Sequence, residues 1–253
     1  MKKEEIIIYW APWYHPLTSQ QQQMLGGITP IMYEEPSSLW EHLNKNLMDQ
    51  KASRTFIQCP AFRESVESVY FIKNPVTTSI SVNISDSGVI GDVIQHESKG
   101  SRGVVTMPHA PTIQNQLLIQ YTQAYGFFAS EPCLMRMTSP WFSNAPHMKY
   151  GSLVVGTFDI GRWYRPVNLE FNLWDLVNDF VIEADEPLAY FEFSTTKKIV
   201  FKQYELTDKL VELATNAIHA RSSRWHSLNA RYELFAKARY KEMVMKEINK
   251  SLL

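Results

Sequence analysis

Between Thr55 and Tyr204 the apolar residues come in short runs, broken about every 8 to 14 residues by Pro, Gly, Asn, Asp or Ser, which is the rhythm of strands joined by turns. Ile80, Val82 and Ile84 alternate with Ser81 and Asn83, and Leu169, Phe171 and Leu173 alternate with Glu170 and Asn172. A period of two puts one face in a core and the other in water, the pattern of antiparallel sheets. The run Glu5 to Trp10 is a further strand, stopped by Pro12 and Pro16. Strands do not alternate with helices here, which argues against a parallel nucleotide-binding sheet. The pattern predicts a mainly β domain over residues 1–204, an antiparallel β-sandwich or jelly roll.

Two stretches break the period. Ser37 or Ser38 caps a short helix near residues 37–48, with Leu39, Trp40, Leu43 and Leu47 at helical spacing. Beyond Tyr204, residues 205–253 read as a helical extension: Thr207 caps a segment whose apolar side is Leu210, Val211, Leu213, Ala214, Ala217 and Ile218. A second tail helix carries Trp225, Leu228, Tyr232 and Phe235 on one face. From Arg221 onward eight Arg or Lys residues face three Glu, so 8 minus 3 gives +5, while the whole chain sums to −1. An amphipathic basic tail of this kind predicts docking on a protein partner or a second copy, with the tail outside the β core. Nucleic acid is a weaker expectation, because Glu233, Glu242 and Glu247 interrupt the basic face.

Composition narrows the class. A hydrophobic fraction of 45% and a charged fraction of 20% are ordinary globular values. Cys59 and Cys133 stand far apart in apolar surroundings and read as two small buried hydrophobes. The apolar run Ile6 to Trp10 is too short for a secretory leader, and no stretch approaches the roughly 20 apolar residues of a membrane span. A cytoplasmic protein is expected, of the host cytoplasm or the virion if viral.

Candidate chemistry is sparse. Iron enzymes on β-barrels use two histidines and a carboxylate, and His96 and His147 with Asp159 or Asp92 are the nearest approach to such a set. No His-x-Asp, His-x-Glu or His-x-His supports it. There is no Gly-x-Ser-x-Gly elbow and no phosphate loop, so no cofactor is expected. The most unusual stretch holds two aromatic loops, with Trp141 and Phe142 in one and Arg162, Trp163, Tyr164 and Arg165 in the other. Such residues stack a base or a sugar, or clamp an anion, if the loops form one surface; otherwise they close the ends of the core.

Several elements, in order, resemble an uncharacterised family of phage and bacterial proteins. They are Ile57-Gln58-Cys59-Pro60, Thr138-Ser139-Pro140-Trp141, Ala145-Pro146 with Gly151, Gly156-Thr157-Phe158-Asp159, Val167 to Asn172, and Glu186 to Phe191. The resemblance covers about Thr55 to Tyr204. It implies a compact β-sandwich in a phage context and carries over no catalytic residue. The family's loop after the aromatic is richer in Pro and Gly than Asn144-Ala145-Pro146-His147, and the tail lies outside it. With no catalytic constellation in view, the expected function is that of a non-enzymatic accessory, structural or assembly protein. A metal-dependent oxygenase or cupin-like enzyme is one alternative, and a carbohydrate or nucleic-acid binding module is the other.

Overall fold

The computed structural model describes residues 4–13, 33–49, 58–84, 90–96, 105–109, 116–221, 228–237 and 239–253. Within them the protein is mainly β, with antiparallel sheets and C-terminal helices. One sheet is ordered β14-β1-β7-β11-β9, and β6 also pairs with β7. Its strands are β1 (Glu5–Trp13), β6 (Val105–His109), β7 (Leu117–Ala129), β9 (Gly151–Leu153), β11 (Pro166–Leu173) and β14 (Lys198–Gln203). The second is ordered β10-β8-β13-β3-β2, built from β2 (Ser37–Ser38), β3 (Val69–Lys73), β8 (Leu134–Thr138), β10 (Gly156–Asp159) and β13 (Pro187–Phe193). A three-stranded sheet joins β12 (Phe180–Ile182), β4 (Thr78–Ile84) and β5 (Ile90–His96).

Alternation places the core. Ile6, Ile8 and Trp10 of β1 and Ile119, Tyr121, Tyr125 and Phe127 of β7 share one apolar cluster with Met135 and Met137 of β8 and Phe191 and Phe193 of β13. The two large sheets are therefore packed face to face. Between β12, β4 and β7 lies a buried polar knot. Tyr121 donates to Asn74 Oδ1 at 2.5 Å and lies 2.8 Å from the Thr78 hydroxyl, and the Asn74 amide donates to the carbonyls of Val76 and Ile182. One pairing departs from the antiparallel expectation: β1 and β14 run parallel, in register from Glu5 opposite Lys198 to Trp10 opposite Gln203.

Helices cover both outer faces. α1 (Leu39–Asp49) and α2 (Pro60–Val66) lie on the second sheet, where Leu39, Leu43 and Val66 pack with Val69, Phe71 and Tyr190. Ser38 caps α1, its hydroxyl accepting from the Glu41 amide at 3.3 Å, and Thr207 caps α3 by accepting from Leu210 at 3.2 Å. The tail forms α3 (Asp208–Arg221), α4 (Leu228–Lys237) and α5 (Tyr240–Lys250). Leu210, Leu213, Ala214, Tyr240, Val244 and Ile248 bury themselves against Tyr9, Ala11, Phe128, Tyr164 and Tyr204 on the outside of the first sheet. Sequence placed the tail outside the β core; in the structure the change of secondary structure at residue 204 does not interrupt the packing. The reason is that odd-numbered β1 residues such as Tyr9 and Ala11 are themselves buried, so that sheet needs cover on both faces. No helix among the described residues is long and apolar enough to cross a membrane.

Candidate functional site

Trp141 and Phe142 lie on the outer face of the second sheet. Strand register fixes what surrounds them: Thr157 of β10, Arg136 of β8 and Glu192 of β13 are cross-strand neighbours in one row. Arg136 Nη1 is 3.5 Å from Glu192 Oε2, and the Trp141 indole N–H donates to Glu192 Oε1 at 3.3 Å. Trp141 also meets Tyr190 and Phe142 edge-on, and Phe142 packs on Phe62 of α2. Trp141 nevertheless remains 44% exposed and Leu134 47%. α2 covers only part of this face, leaving a shallow groove of about 330 Å³ lined by Ser65, Ser68, Leu134, Arg136, Thr157, Glu192, Phe193 and Ser194.

The second aromatic loop lies elsewhere. Trp163 and Tyr164 are buried under the tail on the other sheet, where Trp163 meets Tyr232 edge-on and Phe235 at a tilt, and the Tyr164 hydroxyl is 2.8 Å from that of Tyr204. Arg165 lies over the rings of Trp163 and Phe158, and Arg162 lies over Tyr232 while pairing with Asp159 at 3.2 Å. One surface holding both loops is thus corrected: they belong to opposite faces of the sandwich, since Thr138 ends a strand of one sheet and Pro166 begins a strand of the other. Tyr232 and Phe235, expected to meet a partner, are engaged by the protein's own Trp163. Leu228 opens α4, and Trp225 falls outside the described residues.

The three metal candidates belong to three environments. His147 is 1% exposed, edge-on to Phe171 and Phe180, with Nδ1 at 3.4 Å from Glu186 Oε2. Its Nε2 has no hydrogen-bond partner, and burial pushes its imidazole below the ordinary histidine range, against the pull of Glu186. Asp159 accepts from Gly161 N–H and holds Arg162. His96 ends β5, opposite Ser79. Among the described residues no three His, Cys, Asp or Glu side chains converge. Burial, with Asp159 and Glu131 nearby, pushes the Cys133 thiol up to about 11, well away from a reactive thiolate. Cys59, expected inside, is exposed where the chain enters α2 at Pro60.

A groove of about 650 Å³ was not signalled by sequence. It runs between β14 and the α1–β2–β3 wall, lined among others by Glu35, Glu41, His42, Lys45, Tyr70, Lys73, Lys198 and Phe201. Tyr70 and Phe201 meet edge-on at 4.9 Å in its floor. Burial and the nearby Glu41, Glu35 and Glu67 raise the Tyr70 phenol, whereas burial and the nearby Lys73 and Lys45 lower the His42 imidazole. Acidic and basic groups thus face the groove together from the α1–β2–β3 side. Lys45 has no ion-pair partner among the described residues, and Lys73 reaches only the exposed Asp185 at 3.8 Å.

No protein-family model and no curated protein matches this chain.

The backbone around the groove is more specific than its side chains. β14 is an outermost strand among the described residues. Lys198 N–H bonds Glu4 and Tyr204 N–H bonds Trp10, so the amides of even-numbered residues turn toward β1 and those of Ile199, Phe201 and Gln203 turn away. Just beyond, the C-terminal segment already uses that edge. Leu252 bridges Tyr204 in antiparallel sense, and Leu253 N–H bonds the Gln203 carbonyl at 3.1 Å. This arrangement offers outward-facing main-chain hydrogen bonds beside a shaped groove.

Proposed function

We propose that this chain is a non-enzymatic accessory or assembly protein, of the phage type implied by the resemblance, that holds its protein partner by adding an extended strand to β14. The carrying observation is the outward-turned backbone of Ile199 and Phe201 bordering the 650 Å³ groove. A peptide running on from the direction of Leu253 meets those two residues in antiparallel register, and main-chain hydrogen bonds supply its affinity. Its alternate side chains enter the groove, so the fitting segment carries an apolar residue for the Tyr70–Phe201 floor and an acidic one for Lys45 and Lys73. Lys198 and Lys202 on the exposed side guard the edge against indiscriminate pairing.

Selection of displayed random peptides on the full-length protein tests this reading. Enriched peptides are expected to share the apolar and acidic pattern, and to lose binding when alternate peptide amides are N-methylated. Ile199→Pro removes one outward amide without touching the β1 ladder, so it abolishes binding where Ile199→Val retains it. Failure to enrich any peptide, or binding indifferent to both N-methylation and Ile199→Pro, overturns strand addition.

A further inference from the structure

We infer that His42, Lys45 and Lys73 form the subsite of the β14 groove that receives a carboxylate of the partner, and that the partner is held more tightly as the solution is acidified. The occupant is the added strand proposed above, on which this inference rests; the three-membered subsite and its proton go beyond it.

Local geometry gathers the three side chains. The His42 ring meets Phe71 edge-on at 5.1 Å, which sets α1 against β3 at that point. Lys45 is three residues further along α1 and so lies on the same helix face as His42. Lys73 is two residues beyond Phe71 in β3, and the period of two turns it to the same side of that strand. All three line the groove of about 650 Å³ that borders Ile199 and Phe201. One imidazole and two ammonium groups therefore share a corner of it.

The remaining charges are sorted away from that corner or weakly placed. Glu41, Glu35 and Glu67 act on Tyr70, which turns toward the inter-sheet core while Phe71 packs under α1. Across the groove, Lys198 of β14 is 3.7 Å from Glu5. Asp185, 3.8 Å from Lys73, is 85% exposed, and water screens so open a pair. The groups that act on His42 itself are cations: after burial, Lys73 and Lys45 hold its imidazole below the ordinary histidine range. Two ammonium groups beside a neutral imidazole favour an anion, and a peptide strand supplies one as an Asp or Glu side chain.

A carboxylate seated there reverses the field at His42. The imidazolium is then favoured, so its pKa is higher in the complex than in the free protein, and binding takes up a proton. The added affinity is full below the free-protein value and is lost as pH rises through the value in the complex. A Glu carboxyl stays ionised down to about pH 4.3, which leaves the window above that open.

The test uses the full chain with two probes: glutarate, a carboxylate that cannot add a strand, and the peptides enriched by display. NMR at low ionic strength follows the His42 imidazole, assigned by its loss in His42→Phe, a variant that keeps a ring against Phe71; circular dichroism verifies folding. Glutarate is expected to shift the His42 signal and raise its titration midpoint, and Lys45→Ala and Lys73→Ala each to weaken that effect. The peptides are expected to bind about three- to tenfold more tightly at pH 5.5 than at pH 7.5, the size of a half- to one-unit change at His42, and His42→Phe to flatten the profile. Glutarate acting at His42 while N-methylated peptides bind undiminished supports the subsite and rejects the strand. Peptides that are sensitive to N-methylation but bind equally at both pH values, with His42 unmoved by glutarate, overturn the subsite and leave the strand standing.

Discussion

His147 links burial to acid sensitivity. Its imidazole is held neutral between Phe171 and Phe180, with a folded-state pKa below the 6.5 of an unfolded chain. Below pH 6.5 the unfolded chain takes up this proton more readily than the folded one, so the stability due to His147 is full above that pH and declines as pH falls toward the folded value. Urea midpoints measured from pH 7.5 to 5 should fall, and His147→Gln should flatten that limb. Tyr121 gives a second test, because its hydroxyl donates to Asn74 Oδ1 in a fully buried knot. Tyr121→Phe leaves that oxygen unsatisfied and is expected to cost about 1–3 kcal/mol in chemical denaturation. Gly161 is a packing constraint: a Cβ there runs into the Glu131 carbonyl and sits 2.7 Å from Pro132 Cα, and neither backbone group yields cheaply. Gly161→Ala is expected to destabilise by about 1–3 kcal/mol.

Elements written in local sequence were legible. Period-two runs marked β4 and β11, and the capping Ser38 and Thr207 sit where the helical spacing begins. What escaped depends on which strands become neighbours. Nothing local tells Trp141 that it will lie beside Glu192, 51 positions away, or Tyr70 that it will lie under Phe201. The same holds for the tail. Tyr232 and Phe235 were legible as an apolar helix face, but their cover is Trp163, supplied by a loop of the β domain. Tyr240 ties these elements together, its hydroxyl 3.0 Å from the carbonyls of both Tyr164 and Leu213. Tyr240→Phe strands the Tyr164 carbonyl and is expected to lower stability by about 1–2 kcal/mol, measured by thermal melting.

At the scale of the molecule, two sheets lie between two helical layers, and each outer layer covers apolar strand residues that would otherwise face water. A chain ended at Tyr204 uncovers Tyr9, Phe128, Trp163, Tyr164 and Tyr204 together. From sequence alone that truncation leaves a folded sandwich; from the packing it gives a dye-binding, aggregating species without a cooperative melt. The parallel pairing of β1 with β14 reaches further, into the protein's synthesis. Glu5 is opposite Lys198, a separation of 198 minus 5, or 193 residues. At ribosomal speeds of about 5–20 residues per second, Ile6 to Trp10 emerge roughly 10 to 40 seconds before β14, one of the two strands that flank them, is made. Its other neighbour, β7, is made well before β14, so for the later part of that interval β1 waits with one edge unpaired and is among the last strands to be enclosed on both sides.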